Sequence, residues 1–322
     1  MNITFLSDSR ISGGAAIAAD RMASALERYG VQVRWVTGEA YPSWAAAAIA
    51  LEEGGDCLVV HNTHGTPDWS LQLVEQAPHR KKVFVLHDEW TFTGGCAFTH
   101  TCNGHMWGCN NCPGGQFDYP HFNNEFAATE WSRKRKFLAR NPDIEVIAPS
   151  EWIQERAHNG LWHGHKIHHI PYPAPLDTFY PEGVMEAREE LVLPQDKMVY
   201  CLIAQNLEDC RKGAYDVGRF NDAYLVAMGH GRPDGYDRYM PHDTSVEARR
   251  KLLSAADYNL HLALADNYPN TIIEASCCNT PTLSPGEPGG VAEMIHTETP
   301  RKFVEENNNP GIIGKLLLEA MR

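Results

Sequence analysis

No apolar run in this 322-residue chain approaches the ~20 residues needed to cross a bilayer. The opening Met1-Asn2-Ile3-Thr4-Phe5-Leu6-Ser7-Asp8 has neither a basic stretch nor an extended apolar core. Neither a signal peptide nor a membrane span is expected, and the chain reads as cytoplasmic. Positive charge is scarce too. Against 41 acids stand 28 lysines and arginines, a net charge of −13, so nothing pulls the chain as a whole toward nucleic acid or anionic lipid. Its local basic stretches, Arg133-Lys134-Arg135-Lys136 on to Arg140 and Arg249-Arg250-Lys251, read as solvated helix faces. The G-x-G-x-x-G turn of dinucleotide enzymes is missing, which argues against a nicotinamide cofactor. Asp-x-Asp is missing as well, and no divalent-metal requirement is expected. There is no internal repeat and no low-complexity tract.

What is present is a balanced globular composition, 43% hydrophobic and 21% charged, long enough for two domains. Short β-rich runs alternate with helical stretches. In the first half the strand candidates are residues 3–6, 33–36, 57–60, 82–86 and 144–148. Between the first two, Ala18, Met22, Ala25, Leu26 and Tyr29 recur at helical spacing, and Gly30 stands where a helix-ending glycine belongs. A second series covers residues 198–204, 224–228, 258–264 and 280–283. Strand and helix in alternation predict parallel sheets with right-handed crossovers. The proline-rich Pro171-Tyr172-Pro173-Ala174-Pro175 reads as a linker. The fold expected is therefore α/β: two Rossmann-like halves, residues 1–172 and 173–322, whose parallel sheets face a central cleft at their carboxyl ends. The last helix is a candidate to pack back on the first half.

Three loops at strand ends carry candidate chemistry. Ser12-Gly13-Gly14-Ala15-Ala16 opens the first helix, and its glycines would let backbone N–H groups approach an anion. Leu207-Glu208-Asp209-Cys210-Arg211-Lys212-Gly213 follows the first strand of the second half, and a cation there can neutralise a diphosphate leaving group. The third loop runs from Ala265 through Asp266, Asn267, Tyr268, Pro269, Asn270 and Thr271 to Glu274 and Ala275. It puts one carboxylate before a helix and the other about one turn into it. Taken singly, each also reads as an ordinary loop or cap.

In combination they resemble glycosyltransferase family 4, the large family of retaining enzymes with the GT-B fold. Asp266-x7-Glu274, followed by Ala275-Ser276 and Asn279-Thr280-Pro281, is similar to that family's E-x7-E signature. The segment Gly289-Gly290-Val291-Ala292-Glu293-Met294-Ile295 resembles its GG-x-x-E stretch. The first half resembles the colanic-acid-biosynthesis-like branch through Ser12–Ala16, His61-Asn62-Thr63-His64-Gly65, the run from Leu86-His87-Asp88-Glu89-Trp90 to Cys96, Ala148-Pro149-Ser150-Glu151-Trp152 and Ile170-Pro171.

The resemblance implies an acceptor domain followed by a donor domain for a nucleotide-sugar, UDP- or GDP-linked. By the same resemblance Glu274 would bind the donor ribose and Asp266 the sugar hydroxyls. Asn267, Tyr268, Asn270 and Thr271 would line sugar and phosphate with their backbone. Lys212, with Arg211, would meet the diphosphate, Asn206 would stand beside it, and Gly13 and Gly14 would approach it from the first domain. His87 would stand near the transferred sugar with Asp88 beside it. The leaving phosphate would help to deprotonate the acceptor, so no protein nucleophile is required. Two positions depart from the family pattern: Asp266 replaces a glutamate, and Gln205-Asn206 replaces the usual Gly-Arg. The acceptor implied is a growing polysaccharide or a lipid-linked saccharide. A hydroxylated base in DNA is an alternative acceptor, and a non-catalytic nucleotide-sugar binder is an alternative function.

Cys96, Cys102, Cys109 and Cys112 crowd into 17 residues, ending in a C-x2-C step. Four thiolates at such spacing suit a closed structural zinc, with packed thiols or two disulfides as the other readings. His61 and His64 either reach the acceptor or pack their loop. His163, His165, His168 and His169 make no second metal site, because neighbours in a strand point to opposite faces.

Overall fold

The computed structural model describes residues 1–66, 69–113, 124–243, 245–286, 289–296 and 298–322. The chain divides into two compact units. Unit 1 comprises Met1–Pro173 with Gly311–Arg322, and unit 2 is Ala174–Pro310.

Unit 1 holds a six-stranded sheet made of β1 (Asn2–Ser7), β2 (Gln32–Thr37), β3 (Gly55–Val60), β4 (His79–Val85), β5 (Glu145–Ala148) and β6 (Ile167–His169). All pairs are parallel, in the order β2-β1-β3-β4-β5-β6. Central strands such as Leu58-Val59-Val60 are apolar on both faces because helices cover both sides. The helices are α1 (Gly14–Glu27), α2 (Trp44–Leu51), α3 (Leu71–Gln76), α4 (Ala127–Arg140), α5 (Glu151–His158) and, from the far end of the chain, α10 (Pro310–Ala320). In α1 the buried Ala18, Met22, Ala25 and Leu26 form the stripe that the spacing predicts. Gly30 follows at φ +70°, its N–H bonded to Glu27. α10 lies on α1 so closely that a Cβ on Gly314 would come within 2.4 Å of the Ala25 carbonyl. The Tyr29 hydroxyl donates to Gly311.

Unit 2 holds β7 (Val199–Asn206), β8 (Tyr224–His230), β9 (Arg238–Met240), β10 (Tyr258–Leu260) and β11 (Thr282–Leu283), parallel in the order β11-β10-β7-β8-β9. Around it lie α6 (Val184–Glu190), α7 (Val246–Ala255), α8 (Asn270–Cys277) and α9 (Pro300–Asn307). β9 has no counterpart among the expected strands. β10 is shorter than its apolar run, and the reason bears on the site. After His261 the backbone leaves the ladder, and the Leu264 N–H bonds the Arg211 carbonyl instead of a strand neighbour.

Of the two basic stretches, the one from Arg133 to Arg140 is the solvated face expected except at Lys134, and the other is not. Arg249, Arg250 and Lys251 pair with Glu274, Glu182 and Glu190, and each of the three is largely covered. Lys134 is 2% exposed, while Arg133, Arg135 and Lys136 of the same helix are open to solvent. Its ammonium donates to the Trp90 and Thr93 carbonyls and sits over the Trp90 ring at 3.7 Å. Burial pulls its pKa down to about 7. Among the described residues no helix is long and apolar enough to cross a membrane.

Candidate functional site

In unit 2 the Lys212 loop is built by backbone geometry. Asp209 caps the short 3-10 turn Cys210–Lys212, and Gly213 ends it at φ +65°. A Cβ on Gly213 would fall 1.9 Å from the Leu262 carbonyl, so only glycine lets the loop lie on the end of β10. The result brings the Lys212 ammonium 3.4 Å from Asp266 Oδ2. Arg211 turns back instead. Its guanidinium takes both oxygens of Asp209, at 2.5 and 3.0 Å, and of the two neighbouring cations it is Lys212 that faces Asp266.

Asp266 is held through its backbone by the glycine pair downstream. Gly289 bridges to it in parallel, and the Gly290 N–H donates to the Asp266 carbonyl. A Cβ on Gly289, at φ +69°, would lie 2.2 Å from that carbonyl, which explains why glycine stands there. Behind Asp266 sits His261, which motif reading does not single out. It is 93% buried, its Nε2 lies 3.9 Å from Asp266 Oδ2, and that nitrogen has no hydrogen-bond partner among the described residues. Burial outweighs the carboxylate's pull and lowers the ring's pKa to about 4. His261 is therefore neutral at pH 7.

α8 begins at Asn270 without a side-chain cap, so its first turn presents the positive end of the helix dipole. Asn270 and Thr271 are half-buried there, and Asn267 is buried. Tyr268 points inward, its hydroxyl accepting from Asn308, so only its backbone is available to a ligand. Glu274, one turn in, is fully buried, with both carboxylate oxygens 2.8 Å from Arg249 Nη1. Arg249 is the second residue that motif reading misses, hidden in a charged triplet 25 residues upstream. Asn206, at the exposed end of β7, accepts the Glu208 N–H and so shapes the start of the Lys212 loop.

In unit 1 the strand ends carry rings. Gly13 caps α1 at φ +90°, and Gly14 is the first residue of the helix. No atom lies within 4 Å of a Cβ built on Gly13, so its glycine answers to backbone angle rather than space. His87, just past β4, uses both ring nitrogens: Nε2 with His61 Nδ1 at 2.8 Å and Nδ1 with the Tyr172 hydroxyl at 2.6 Å. Desolvation lowers His87 to about 3, and burial together with His87 takes His61 well below its usual value. The two rings are neutral. Asp88 receives the Trp90 N–H at 2.8 Å and the Asn62 amide at 3.0 Å, with His64 Nε2 at 3.6 Å. His64 stacks on Trp90. His61 and His64 thus pack their loop.

The zinc expectation finds no support in the described residues. Among the described residues no group of three or more His, Cys, Asp or Glu side chains is arranged to hold a metal ion, and Cys96, Cys102, Cys109 and Cys112 are free thiols. Their sulfurs serve the loop instead: Cys109 accepts the Gly94 N–H and Cys102 the Gly104 N–H. Burial, with the other three thiols nearby, pushes Cys96 up to about 12.

No family model matches this chain. The chain is 26% identical over 250 residues to the protein named as the colanic acid biosynthesis glycosyl transferase WcaC of Escherichia coli K12. That match takes in 74% of this chain and spans 58% of the relative's length. Among solved structures, HepE of Anabaena in complex with UDP-glucose superposes with a TM-score of 0.69 at 14% identity, covering 100% of this chain and 99% of that one. Sucrose-phosphate synthase of Thermosynechococcus elongatus gives 0.69 at 15% identity, covering 99% and 98%. Two parallel α/β sheets of the kind found in GT-B glycosyltransferases are the fold of this chain.

Proposed function

We propose that this protein is a retaining glycosyltransferase of family 4, moving a sugar from a UDP- or GDP-linked donor to a hydroxyl of a saccharide or lipid-linked saccharide. The observation that carries the reading is the placement of Lys212 beside Asp266 at the start of α8, with the carboxylate-bearing loop clamped by Gly289 and Gly290. A nucleotide-sugar asks for a cation and a helix N-terminus at its diphosphate and a carboxylate at its sugar hydroxyls. All three come together within unit 2, the donor-binding unit in this reading. The named relative and the UDP-glucose complex of HepE point the same way.

Lys212 offsets negative charge as it builds on the leaving diphosphate, and the first turn of α8 adds its dipole. Asp266 orients the sugar through its hydroxyls. Glu274 takes the ribose hydroxyls while its charge is balanced by Arg249. In unit 1, His87 is locked by hydrogen bonds on both nitrogens and is reluctant to protonate, so it is not assigned as the general base. The leaving phosphate oxygen takes the acceptor proton, which leaves no step for a protein nucleophile or a divalent metal. Asp88 serves to tie its own turn, through the Trp90 N–H, to the loop that carries Asn62.

The test is thermal melting against UDP-, GDP-, ADP- and CMP-sugars, with Glu274→Ala as control. A rise with one donor that disappears in the variant names the donor. The anomeric configuration of the product, read by NMR, then decides retention. Transfer that stops in a chelator while the fold persists would contradict the metal-independent route. A flat melting response to every donor would sink the transferase reading.

A further inference from the structure

Two nitrogens converge on one oxygen at the candidate site. Lys212 Nζ stands 3.4 Å from Asp266 Oδ2, and His261 Nε2 stands 3.9 Å from that same atom. The first is a long contact between charges. The second falls short of a hydrogen bond, yet the nitrogen that makes it is buried and has no partner among the described residues. Polar atoms are seldom left so, because a hydrogen bond unmade in the interior costs the desolvation of the group.

The backbone on both sides of the gap is fixed. The His261 N–H donates to the Leu283 carbonyl of β11 at 3.0 Å, and the Leu264 N–H, further along the same segment, donates to the Arg211 carbonyl at 2.9 Å. The histidine thus stands on a strand end, at the point where the Lys212 loop is attached. Asp266 is held through its main chain at Gly289 and Gly290. What remains adjustable is the Lys212 side chain, 41% exposed, and the Asp266 carboxyl, 22% exposed. A movement of about 1 Å by that carboxyl turns the contact with His261 into a hydrogen bond.

We infer that His261 is a positioning residue for Asp266: as a bound diphosphate draws Lys212 to itself, the His261 Nε2–H takes over the Asp266 carboxylate. This rests on the glycosyltransferase reading and adds to it a hand-over inside the donor site. Lys212 has two claimants in that reading. In the empty site its ammonium faces Asp266, and a nucleoside diphosphate brings more negative charge than one carboxylate can offer. Asp266 then loses its cation at the moment it must orient the sugar. Burial keeps the imidazole neutral, and a neutral ring carries its proton on one nitrogen only. An uncharged N–H donor steadies the carboxylate and leaves its negative charge for the sugar hydroxyls, which a second cation would compete for.

The experiment is NMR of the full chain carrying isotope-labelled histidine, titrated with UDP and with GDP while calorimetry follows binding. His261→Gln identifies the His261 signal by its absence. The expected result is a His261 Nε2–H proton that moves downfield as nucleotide binds, and that already lies downfield in nucleotide-free Lys212→Met, where Asp266 has lost its cation. Turnover gives the second readout, measured as hydrolysis of the nucleotide-sugar that raises the melting temperature. His261→Phe keeps a ring and loses the donor. It should lower kcat roughly tenfold or more with KM little changed, in line with the loss of a hydrogen bond to a charged group. His261→Gln, whose side-chain amide supplies an N–H, should recover most of that loss. The spectra of wild type and Lys212→Met decide the matter if His261→Phe does not fold. A His261 signal that stays in place while nucleotide binds would overturn the hand-over and leave the transferase reading intact. Equal losses of kcat in both variants would also overturn it, since the histidine would then serve packing alone. Wild type that binds neither UDP nor GDP would overturn both.

Discussion

The carboxyl ends of the two sheets are built from opposite chemistries. In unit 1 the strand ends carry mostly rings: the neutral His61 and His87 joined with Tyr172 by short hydrogen bonds, and His64 stacked on Trp90 beside the Asp88 carboxylate. In unit 2 they carry charge: Lys212 against Asp266, Arg249 against Glu274. Under the proposed function, the difference suits what each unit would hold. A departing diphosphate demands fixed cations and oriented dipoles, which work best where reorganisation is already complete. An acceptor hydroxyl demands shape and a fixed hydrogen-bond pattern, which a locked, uncharged network provides without attracting stray ions. The contrast also sets the vulnerabilities of the two units, and those can be measured.

The largest effect expected is acid sensitivity greater in unit 1 than in unit 2. His61 and His87 have folded pKa values far below the unfolded 6.5, and His79 and His105 are lowered to about 4, each chiefly through burial. For such a group the unfolded chain takes up its proton first. The stability it contributes is whole above pH 6.5 and is lost as pH falls from there through the folded value. Unit 2 has His261 at about 4 and a lesser shift at His242. Hydrogen exchange followed peptide by peptide from pH 7 to pH 4 should show unit 1 losing protection first. Simultaneous loss in both units would erase the distinction.

Next comes the buried ion pair. Glu274→Ala strands Arg249 with its charge mostly covered, a change that costs about 3–5 kcal/mol in comparable sites. Urea unfolding of unit 2 should report it, and Arg249→Met with Glu274→Leu should recover most of the loss. If the single substitution leaves stability unchanged, Arg249 is free to reach solvent and the pair is not structural. Gly213→Ala ranks third. It combines a left-handed backbone with a clash against Leu262, for about 1–3 kcal/mol, and donor binding should fall with it as Lys212 shifts. Binding that survives would mean that Lys212 does not depend on this turn. Smallest is Tyr172→Phe, which leaves one nitrogen of His87 short of its partner and should cost about 1–3 kcal/mol by chemical denaturation. The donor-induced rise in melting temperature should be unaffected, and a change there would tie the ring network to donor binding.

Much of the fold was legible because parallel strands buried on both faces appear as apolar runs, as Leu58-Val59-Val60 does. β9 was not, since Arg238-Tyr239-Met240 is a three-residue edge strand with neither alternation nor a continuous apolar run. The far end of β10 was misread because Leu262 and Leu264 look like strand, yet the Leu264 N–H bonds Arg211 and the Leu262 carbonyl lies against Gly213 of the Lys212 loop. At the candidate site, the glycines and carboxylates of the third loop stood out because they are close in sequence. Arg249 did not: its partner is 25 residues away, and an Arg-Arg-Lys triplet resembles any exposed helix face. His261 was overlooked because a lone histidine among leucines gives no spacing signal. The four cysteines are the reverse case: their spacing suits a metal, while among the described residues two of the sulfurs, Cys102 and Cys109, accept N–H groups of the loop.

The connection between the units has a further consequence, for synthesis. Unit 2 is inserted into unit 1, whose residues 311–322 come after it in the chain. Its two ends are tied together by the Ala174 N–H donating to the Asn308 carbonyl at 2.7 Å. On the ribosome, unit 2 can close on itself as soon as Asn308 has emerged, while α1 still waits for the helix that covers it. The unit that is made second is therefore the first able to finish folding. Until α10 arrives, the face of α1 near Ala25 and Tyr29 lies open, a transient patch for a chaperone to guard.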